Sequence, residues 1–169
     1  MSNFTEIKPE QFEYSPFKLI GEDWMLITAE KEGELNSMTA SWGGLGVMWN
    51  KNVAYIAIRP QRYTKEFVDG SDTFSLTFFG PDFKKALAYI GSTSGRDEDK
   101  IEKTGLTVLR NEGVPFFEEA NIVILCKKLY AEKYKPECFM SQKLNDVMYP
   151  DNDQHTLYIA EVTKILIRS

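Results

Sequence analysis

The sequence has few of the residues that build metal centres and nucleophilic catalytic sites. Its 169 residues include one histidine, His155, and two cysteines, Cys126 and Cys138. One histidine is too few for a His-rich zinc site, and no GxSxG motif is present to support a serine hydrolase. The cysteines form no CxxC pair, which argues against a zinc ribbon and a disulfide framework. We interpret both as small buried hydrophobic residues in a reducing compartment.

Excess positive charge and long apolar runs are also missing. Lys and Arg number 20 against 25 Asp and Glu, so the net charge of -5 would repel a nucleic-acid backbone. No stretch approaches the roughly 18 to 20 apolar residues of a membrane span. The N-terminal residues include Glu, Lys and Pro where a secretory signal needs an apolar core. We therefore expect a cytoplasmic protein that binds neither nucleic acid nor a membrane.

The composition and the order of the predicted elements indicate one mostly β domain over residues 1–169. Hydrophobic residues make up 43% of the chain, with eleven Phe and eight Tyr, as in globular proteins. Neither the dinucleotide motif GxGxxG nor the phosphate-loop motif GxxxxGK[ST] occurs. Strands and helices do not alternate regularly, which favours an antiparallel β core with peripheral helices over a doubly wound sheet.

Enrichment in β-branched and aromatic residues predicts five strands, over 24–29, 53–59, 73–79, 121–130 and 156–167. The segments 122–126 and 157–167 are apolar at nearly every position, which predicts central strands buried on both faces. Helical spacing predicts a surface helix over 82–90. A second helix is predicted to start after Thr64, whose hydroxyl can cap the amides of Glu66 or Phe67, and to end near Gly70. A third is predicted over 96–104.

The stretch from Asn36 to Thr64 begins with small and hydroxylic residues that would let a flat ring approach the backbone. This first part runs Met38, Thr39, Ala40, Ser41, Trp42. The glycines of the following GGLG segment either serve the same purpose or simply relieve crowding at a bend or bulge.

The same stretch ends in RPQRYTK, which predicts an anion site. Arg59, Arg62 and Lys65 fall within seven residues of an acidic chain, beside a predicted helix N-terminus. Pro60 keeps Arg59 out of the helical region, so the strand ends there and both guanidinium groups can face one oxygen-rich group. The alternative is that this cluster is a solvated charged face.

Two further segments carry candidate residues. In GSTSGRDEDK, from Gly91, Ser94, Arg96 and Lys100 could form a second anion site, or the segment could be an ordinary charged helix start. His155 lies at the entrance to the last strand, where it is either a functional group or a structural hydrogen-bonding residue.

Four segments in order resemble the flavin reductase-like family with an FMN-binding split barrel, and most closely its flavoredoxin branch. They are NxMTASWGG from Asn36, IRPxRYT from Ile58, GSTSGRDxDK from Gly91 and HTLYIAEV from His155, so the resemblance spans about residues 24–167. It implies a six-stranded antiparallel Greek-key barrel, a homodimer, and FMN bound at or near the subunit interface.

The resemblance also assigns roles to individual residues. It implies that the isoalloxazine ring and ribityl chain lie along Met38, Thr39, Ala40, Ser41 and Trp42. The residues implied at the phosphate end are Arg59, Arg62, Tyr63 and Thr64, with Ser94, Arg96 and Lys100 closing over the phosphate or ribityl chain. His155 and Glu161 are possible contributors on the nicotinamide side, although Gln154 separates His155 from Asp153, unlike the usual family pattern.

The functional hypothesis is an enzyme that transfers electrons from NADH or NADPH through FMN to free flavin, ferric iron or an acceptor protein. In such an enzyme the cofactor carries the electrons and the protein positions the reactants. One alternative is an electron-carrier flavoprotein that is reduced by a partner protein. Another is a split barrel that binds haem or pyridoxal phosphate, or that has no redox activity.

Overall fold

The computed structural model describes residues 3–169, and its main feature is a large antiparallel sheet. Over this range the strands are β1 (Phe4–Ile7), β2 (Met25–Lys31), β3 (Glu34–Ala40), β4 (Gly43–Met48), β5 (Lys51–Ile58), β6 (Thr73–Phe78), β7 (Val108–Asn111), β8 (Val114–Phe117), β9 (Ile122–Lys133) and β10 (Thr156–Arg168). The sheet order is β3-β2-β6-β9-β10-β5-β4, with β1 also paired to β10, while β7 and β8 form a separate hairpin. The mostly β class is confirmed, and the main sheet has eight strands where six were expected.

The sheet is rolled into a barrel because its two edges are joined by a very short connection. β3 and β4 lie at opposite ends of the sheet order, yet only Ser41 and Trp42 separate Ala40 from Gly43. Three steps of about 3.8 Å hold these Cα atoms within about 11 Å, whereas seven flat strands about 4.8 Å apart would span roughly 29 Å. The residues predicted to face a flat ring therefore lie at the corner where the barrel closes.

The central strands are buried on both faces, as predicted from their apolar runs. In β9, Ile124 and Cys126 belong to the core cluster that also holds Tyr158 of β10. The intervening Val123 and Leu125 of β9 belong to a second cluster, which packs under the helices and the β7–β8 hairpin. Alternate residues of one strand thus supply two separate cores.

Two short turns form hairpins that include β3, β7 and β8, three strands that the sequence patterns did not predict. Glu32 and Gly33 join β2 to β3, and Glu112 and Gly113 join β7 to β8, with positive φ at all four residues. Positive φ at both central positions is the type I′ geometry that matches the twist of a hairpin, and glycine adopts it without steric cost.

The described range contains five α-helices: α1 (Pro16–Lys18), which a π-helix over Leu19–Asp23 continues, α2 (Thr64–Gly70), α3 (Lys84–Ser92), α4 (Lys100–Thr104) and α5 (Gln142–Met148). The helix α2 is confirmed with its end at Gly70, but it begins at Thr64 itself and not after it, and the predicted cap is wrong: the Thr64 hydroxyl instead accepts a hydrogen bond from the Asn36 side chain at 2.9 Å. The helix predicted over 96–104 begins only at Lys100, because the Asp99 carboxylate caps the amides of Ile101 and Glu102.

The other helices differ from the predictions in smaller ways. The helix predicted over 82–90 is a short 3-10 turn, Pro81–Phe83, followed by α3. No sequence pattern predicted α5, which lies between β9 and β10. Within residues 3–169, no helix combines the length and the apolar composition needed to cross a membrane.

Candidate functional site

The β3–β4 corner presents only part of its predicted ring-binding segment to solvent. Met38 and Ala40 point into the barrel core and are buried. The Thr39 hydroxyl donates to the Leu87 carbonyl of α3 at 2.5 Å, which ties β3 to that helix. Trp42 is 43% exposed, a high value for an indole, so it is the large side chain of this segment that a ligand can contact.

Arg62 and Lys100 meet at the C-terminal end of α3. The Arg62 Nη1 donates to the Gly91 carbonyl at 2.9 Å, and the Lys100 Nζ donates to the carbonyls of Ile90 and Thr93, each at 3.0 Å. The last carbonyls of a helix lack partners within it, so both cations satisfy acceptors there and complement the helix dipole. We call Arg62 and Lys100 the cation pair.

The cation pair is desolvated and has no carboxylate partner within residues 3–169. Burial lowers the pKa of Arg62, and burial followed by repulsion from Arg62 lowers the pKa of Lys100 to about 8. Two like charges held together away from water are costly unless an opposite charge approaches them. This arrangement fits a bound anion.

Glycine packing brings the α3–α4 loop onto β3 and α2. A Cβ atom on Gly95 would lie 2.3 Å from the Asn36 Oδ1 and 3.2 Å from the Tyr63 ring, so only glycine permits this close approach. The loop residue Arg96 lies over the Tyr63 ring at 4.5 Å and pairs with Glu66. The Ser94 hydroxyl accepts from the Arg96 amide at 3.2 Å.

A cleft of about 470 Å³ opens beside this loop, within the size range of ligand sites. Its lining includes Asn36, Tyr63, Gly95 and Lys100, together with Glu98 and Asp99. These two acids have other partners: Asp99 caps α4, while Glu98 pairs with Lys103 and accepts from the Tyr89 hydroxyl. They do not neutralise the cation pair.

Arg59 was predicted at the phosphate end, but its contacts are with the segment before β10 and not with Arg62 or Lys100. Its guanidinium pairs with Asp153, donates to the Met148 carbonyl at 2.9 Å, and lies 5.1 Å from the centre of the Tyr149 ring. Hydrogen bonds from Gln61 and Arg59 lower the pKa of Asp153. Arg59 therefore ties the end of β5 to the segment before β10.

His155 lies beside Trp42, with ring centres 5.0 Å apart, and is 7% exposed. Its Nδ1 is 2.9 Å from the Tyr149 hydroxyl. Burial, and then the charge of Arg59, lower the pKa of His155 to about 4, while Asp153 opposes the shift. The imidazole is neutral near pH 7.

The structure thus divides the predicted residues into two neighbouring groups. The phosphate-side group contains the cation pair, Tyr63, Thr64, Ser94 and Arg96; the corner group contains Trp42, His155 and Arg59. Glu161 is not brought to His155: it pairs with Lys51, and six residues of extended strand, roughly 20 Å, separate it from His155.

Sequence patterns did not identify Tyr149, whose only signal is its proximity to His155 in the chain. They also gave no indication of a cleft of about 720 Å³ elsewhere on the barrel, whose lining includes Leu19, Phe78, Leu87, Ile122 and Ile167. None of the predicted site residues lines that cleft.

The barrel with its cationic loop region is a split-barrel domain, and sequence comparison assigns its family. The model for the flavin reductase like domain matches residues 18–169. The chain belongs to this family.

Two curated relatives share part of the sequence. An uncharacterised protein of Aeropyrum pernix is 28% identical over 103 residues, which is 59% of this chain and 39% of that protein. The uncharacterised protein YddH of Escherichia coli is 29% identical over 118 residues, which is 67% of this chain and 62% of that protein. The matches span less than two thirds of both relatives.

Solved structures share the fold. An FMN-binding domain of a flavin reductases-like enzyme from Shewanella baltica has a TM-score of 0.71 at 19% identity, covering 99% of this chain and 78% of that chain. A flavoredoxin from Methanosarcina acetivorans has a TM-score of 0.67 at 19% identity, covering 95% and 73%. These likenesses establish the antiparallel barrel.

Proposed function

We propose that this protein binds FMN and acts as an oxidoreductase that takes electrons from NADH or NADPH. The observation that carries the proposal is the cation pair: Lys100 is 3% exposed, Arg62 is partly buried, and neither has a carboxylate partner among residues 3–169. A phosphate dianion supplies the missing opposite charge. The family assignment and the FMN-binding domain of similar fold from Shewanella baltica support FMN as its source.

The phosphate-side residues have donors to spare for such a group. Arg62 uses one of its five N–H donors on the Gly91 carbonyl, and Lys100 uses two of its three on backbone carbonyls. The remaining donors can form charge-assisted hydrogen bonds with phosphate oxygens, which are stronger than neutral ones. Arg62 and Lys100 would therefore hold the phosphate.

The ring end would lie at the β3–β4 corner. Ser41 and Trp42 are exposed there, and the glycines that begin β4 leave the backbone accessible. Bound FMN would supply the redox chemistry by accepting a hydride and releasing electrons to free flavin, ferric iron or an acceptor protein. The protein's part is to orient the reactants and to exclude water, with no covalent step on a side chain.

The test of FMN binding is the absorption spectrum of the purified protein, followed by titration with FMN. FMN has about 31 non-hydrogen atoms, and roughly 0.3 kcal/mol for each gives about 9 kcal/mol, so we expect sub-micromolar affinity and a yellow protein. A colourless protein that takes up no added FMN would refute the proposal. A haem spectrum would instead favour the haem-binding alternative.

Stopped-flow mixing with NADH and with NADPH separates the enzyme from the electron carrier. Rapid bleaching of the flavin band near about 450 nm with either nucleotide supports the reductase. A flavin that stays oxidised with both, but is reduced by a partner protein, supports the carrier, to which the flavoredoxin of similar fold gives weight.

The proposal includes a cytoplasmic homodimer. An uncharged edge strand supports the dimer: β4 ends the sheet order, and the Trp49 ring just after it contacts the Tyr130 ring of β9, with ring centres 6.3 Å apart. Five exposed apolar residues of β4, the turn after it and β9 make up what we call the β4 patch: Val47, Met48, Trp49, Leu129 and Tyr130. A free sheet edge with an apolar surface favours pairing with another chain. Cys126 is a buried free thiol as predicted, whereas the prediction of burial is wrong for Cys138, which is an exposed free thiol; free thiols suit a reducing compartment.

A further inference from the structure

The segment between β9 and β10 packs one phenol directly against the only imidazole of the chain. Tyr149 and His155 are both nearly buried, at 5% and 7% exposure, and their rings meet edge to face at 5.5 Å. The Tyr149 hydroxyl lies 2.9 Å from the His155 Nδ1. Arg59 holds Tyr149 in place through its position over the phenol ring and its hydrogen bond to the Met148 carbonyl.

Counting donors and acceptors selects one direction for this hydrogen bond. If Tyr149 donates to Nδ1, the phenol proton is satisfied and the imidazole carries its own proton on Nε2. If Nδ1–H donates instead, the phenol proton needs a second acceptor, and Tyr149 has none in the described part of the chain. A buried donor without an acceptor costs about 1 to 3 kcal/mol, so the first arrangement is favoured.

The surroundings keep both partners in their neutral forms. Burial, followed by the nearby Tyr134 phenol, raises the pKa of Tyr149, which therefore keeps its proton. Burial, and then the charge of Arg59, lower the pKa of His155 and so disfavour an imidazolium, and Asp153, which pairs with Arg59, only partly offsets them. The Nε2 of His155 has no hydrogen-bond partner among residues 3–169.

We propose that Tyr149 is a positioning residue that fixes His155 as a neutral imidazole protonated on Nε2. His155 then offers one N–H donor beside Trp42 to the carbonyl or carboxamide oxygen of the ligand that lies on the flavin ring. This second step depends on the proposed function, whereas the fixed tautomer does not. A neutral donor orients such a ligand and does not transfer a proton to it near pH 7.

The single histidine makes a direct test possible. In untagged, flavin-free protein with 15N-labelled histidine, long-range 1H–15N correlation spectra contain only the His155 pattern. We expect a pyridine-like Nδ1 and a protonated Nε2, with no change between pH 8 and pH 5.5. A pattern with the proton on Nδ1, or a titration near the ordinary pKa of about 6.5, would overturn the proposal.

Two phenol variants separate positioning from packing. In Tyr149→Phe the ring remains, Nδ1 loses its donor, and we expect the two nitrogen shifts to move toward each other as the tautomers mix. Tyr134→Phe is the matched control, because the Tyr134 ring is 6.5 Å from the His155 ring and the hydrogen bond between the two residues runs from the Tyr134 backbone N–H to the His155 carbonyl, which the substitution keeps. Its spectrum should keep the wild-type pattern. An unchanged pattern in Tyr149→Phe would refute the positioning role.

The hydrogen bond proposed from His155 to the ligand is tested by steady-state kinetics, separately from the tautomer. With FMN bound, Tyr149→Phe should lower kcat/KM for the nicotinamide donor by about 3- to 10-fold, which corresponds to one neutral hydrogen bond, with FMN affinity unchanged. An unchanged kcat/KM would overturn the role of His155 toward the ligand. A fixed tautomer in a protein that never binds FMN would refute the proposed function alone.

Discussion

Arg59 and Arg96 each face a carboxylate, whereas Arg62 and Lys100 share none within the described residues. This difference ranks the predicted phosphate residues. The charge of a guanidinium paired with an acid is already compensated, so it gains less from a phosphate than the cation pair, whose partners are backbone carbonyls. We therefore expect the cation pair to dominate phosphate binding, and the role predicted for Arg59 there stays a prediction.

Arg62→Ala should weaken FMN binding by about 1.5 to 3 kcal/mol, or about 10- to 150-fold in Kd, because a charge-assisted phosphate contact is lost. Fluorescence titration with FMN measures this change. Lys143→Ala, which removes the same charge from an exposed side chain of α5 that makes no ion pair within residues 3–169, is the control and should change Kd by less than about twofold. Equal effects of both variants would show that only the overall charge matters.

The affinity for FMN should depend on pH through Lys100. Its pKa of about 8 in the free protein rises when a phosphate dianion approaches, so the protonated form binds better. Affinity is therefore at its full value between about pH 7 and pH 8, where the phosphate is a dianion and Lys100 is protonated, and it falls by up to tenfold per pH unit above about pH 8.

Titrations between pH 7 and 9.5 test this dependence. Lys100→Gln should bind FMN more weakly at pH 7 and show no such fall, because its amide does not titrate. A fall of the same slope in Lys100→Gln would assign the pH effect to another group.

At the scale of elements, the α3–α4 loop depends on glycine for its contact with β3. Gly95→Ala would place a methyl group against the Asn36 amide, whose Nδ2 holds Thr64 at 2.9 Å. We expect a loss of about 1 to 3 kcal/mol in the free energy of unfolding and weaker FMN binding, because the loop moves away from the cation pair.

Urea unfolding and FMN titration measure both effects. Gly21→Ala is the matched control, since a Cβ there meets nothing within 4 Å, and its stability should be unchanged or slightly raised. Wild-type stability and affinity in Gly95→Ala would mean that the loop adapts to the added methyl group.

The elements that sequence patterns predicted are those whose burial follows the strand or helix period. Residues 122–126 of β9 are apolar at every position because both faces of the strand are covered there, whereas the second half of β9, from Lys127, is charged and mostly exposed. β3 was missed as a strand because its buried side chains are partly polar: Ser37 is fully buried and bonds to Thr28 across the sheet at 2.8 Å. β4 was not predicted as a strand because its glycines are also typical of a bend or bulge.

The candidate site could also be predicted only in part from the sequence. The resemblance identified the segments that meet at the α3–α4 loop, and the structure brings Arg62 and Lys100 together there. It could not show that Arg59 turns toward Asp153, because the segment before β10 has no periodic pattern that predicts its path.

At the scale of the whole molecule, the β4 patch should decide the oligomeric state. Val47→Lys places a charge on the exposed edge strand, and we expect it to convert the proposed dimer to a monomer, as measured by light scattering after gel filtration. Val147→Lys on α5 is the matched control, because the two valines are 69% and 66% exposed. A dimer that survives Val47→Lys but not Val147→Lys would move the interface to α5.

The two-residue connection Ser41–Trp42 also links the local unfolding of the two edge strands, β3 and β4. Edge strands of an open sheet fray separately, but β3 cannot leave the barrel without pulling on β4 through so short a link. Their backbone amides should therefore exchange hydrogen with solvent as one cooperative unit, and a ligand held at this corner should slow exchange on both strands together.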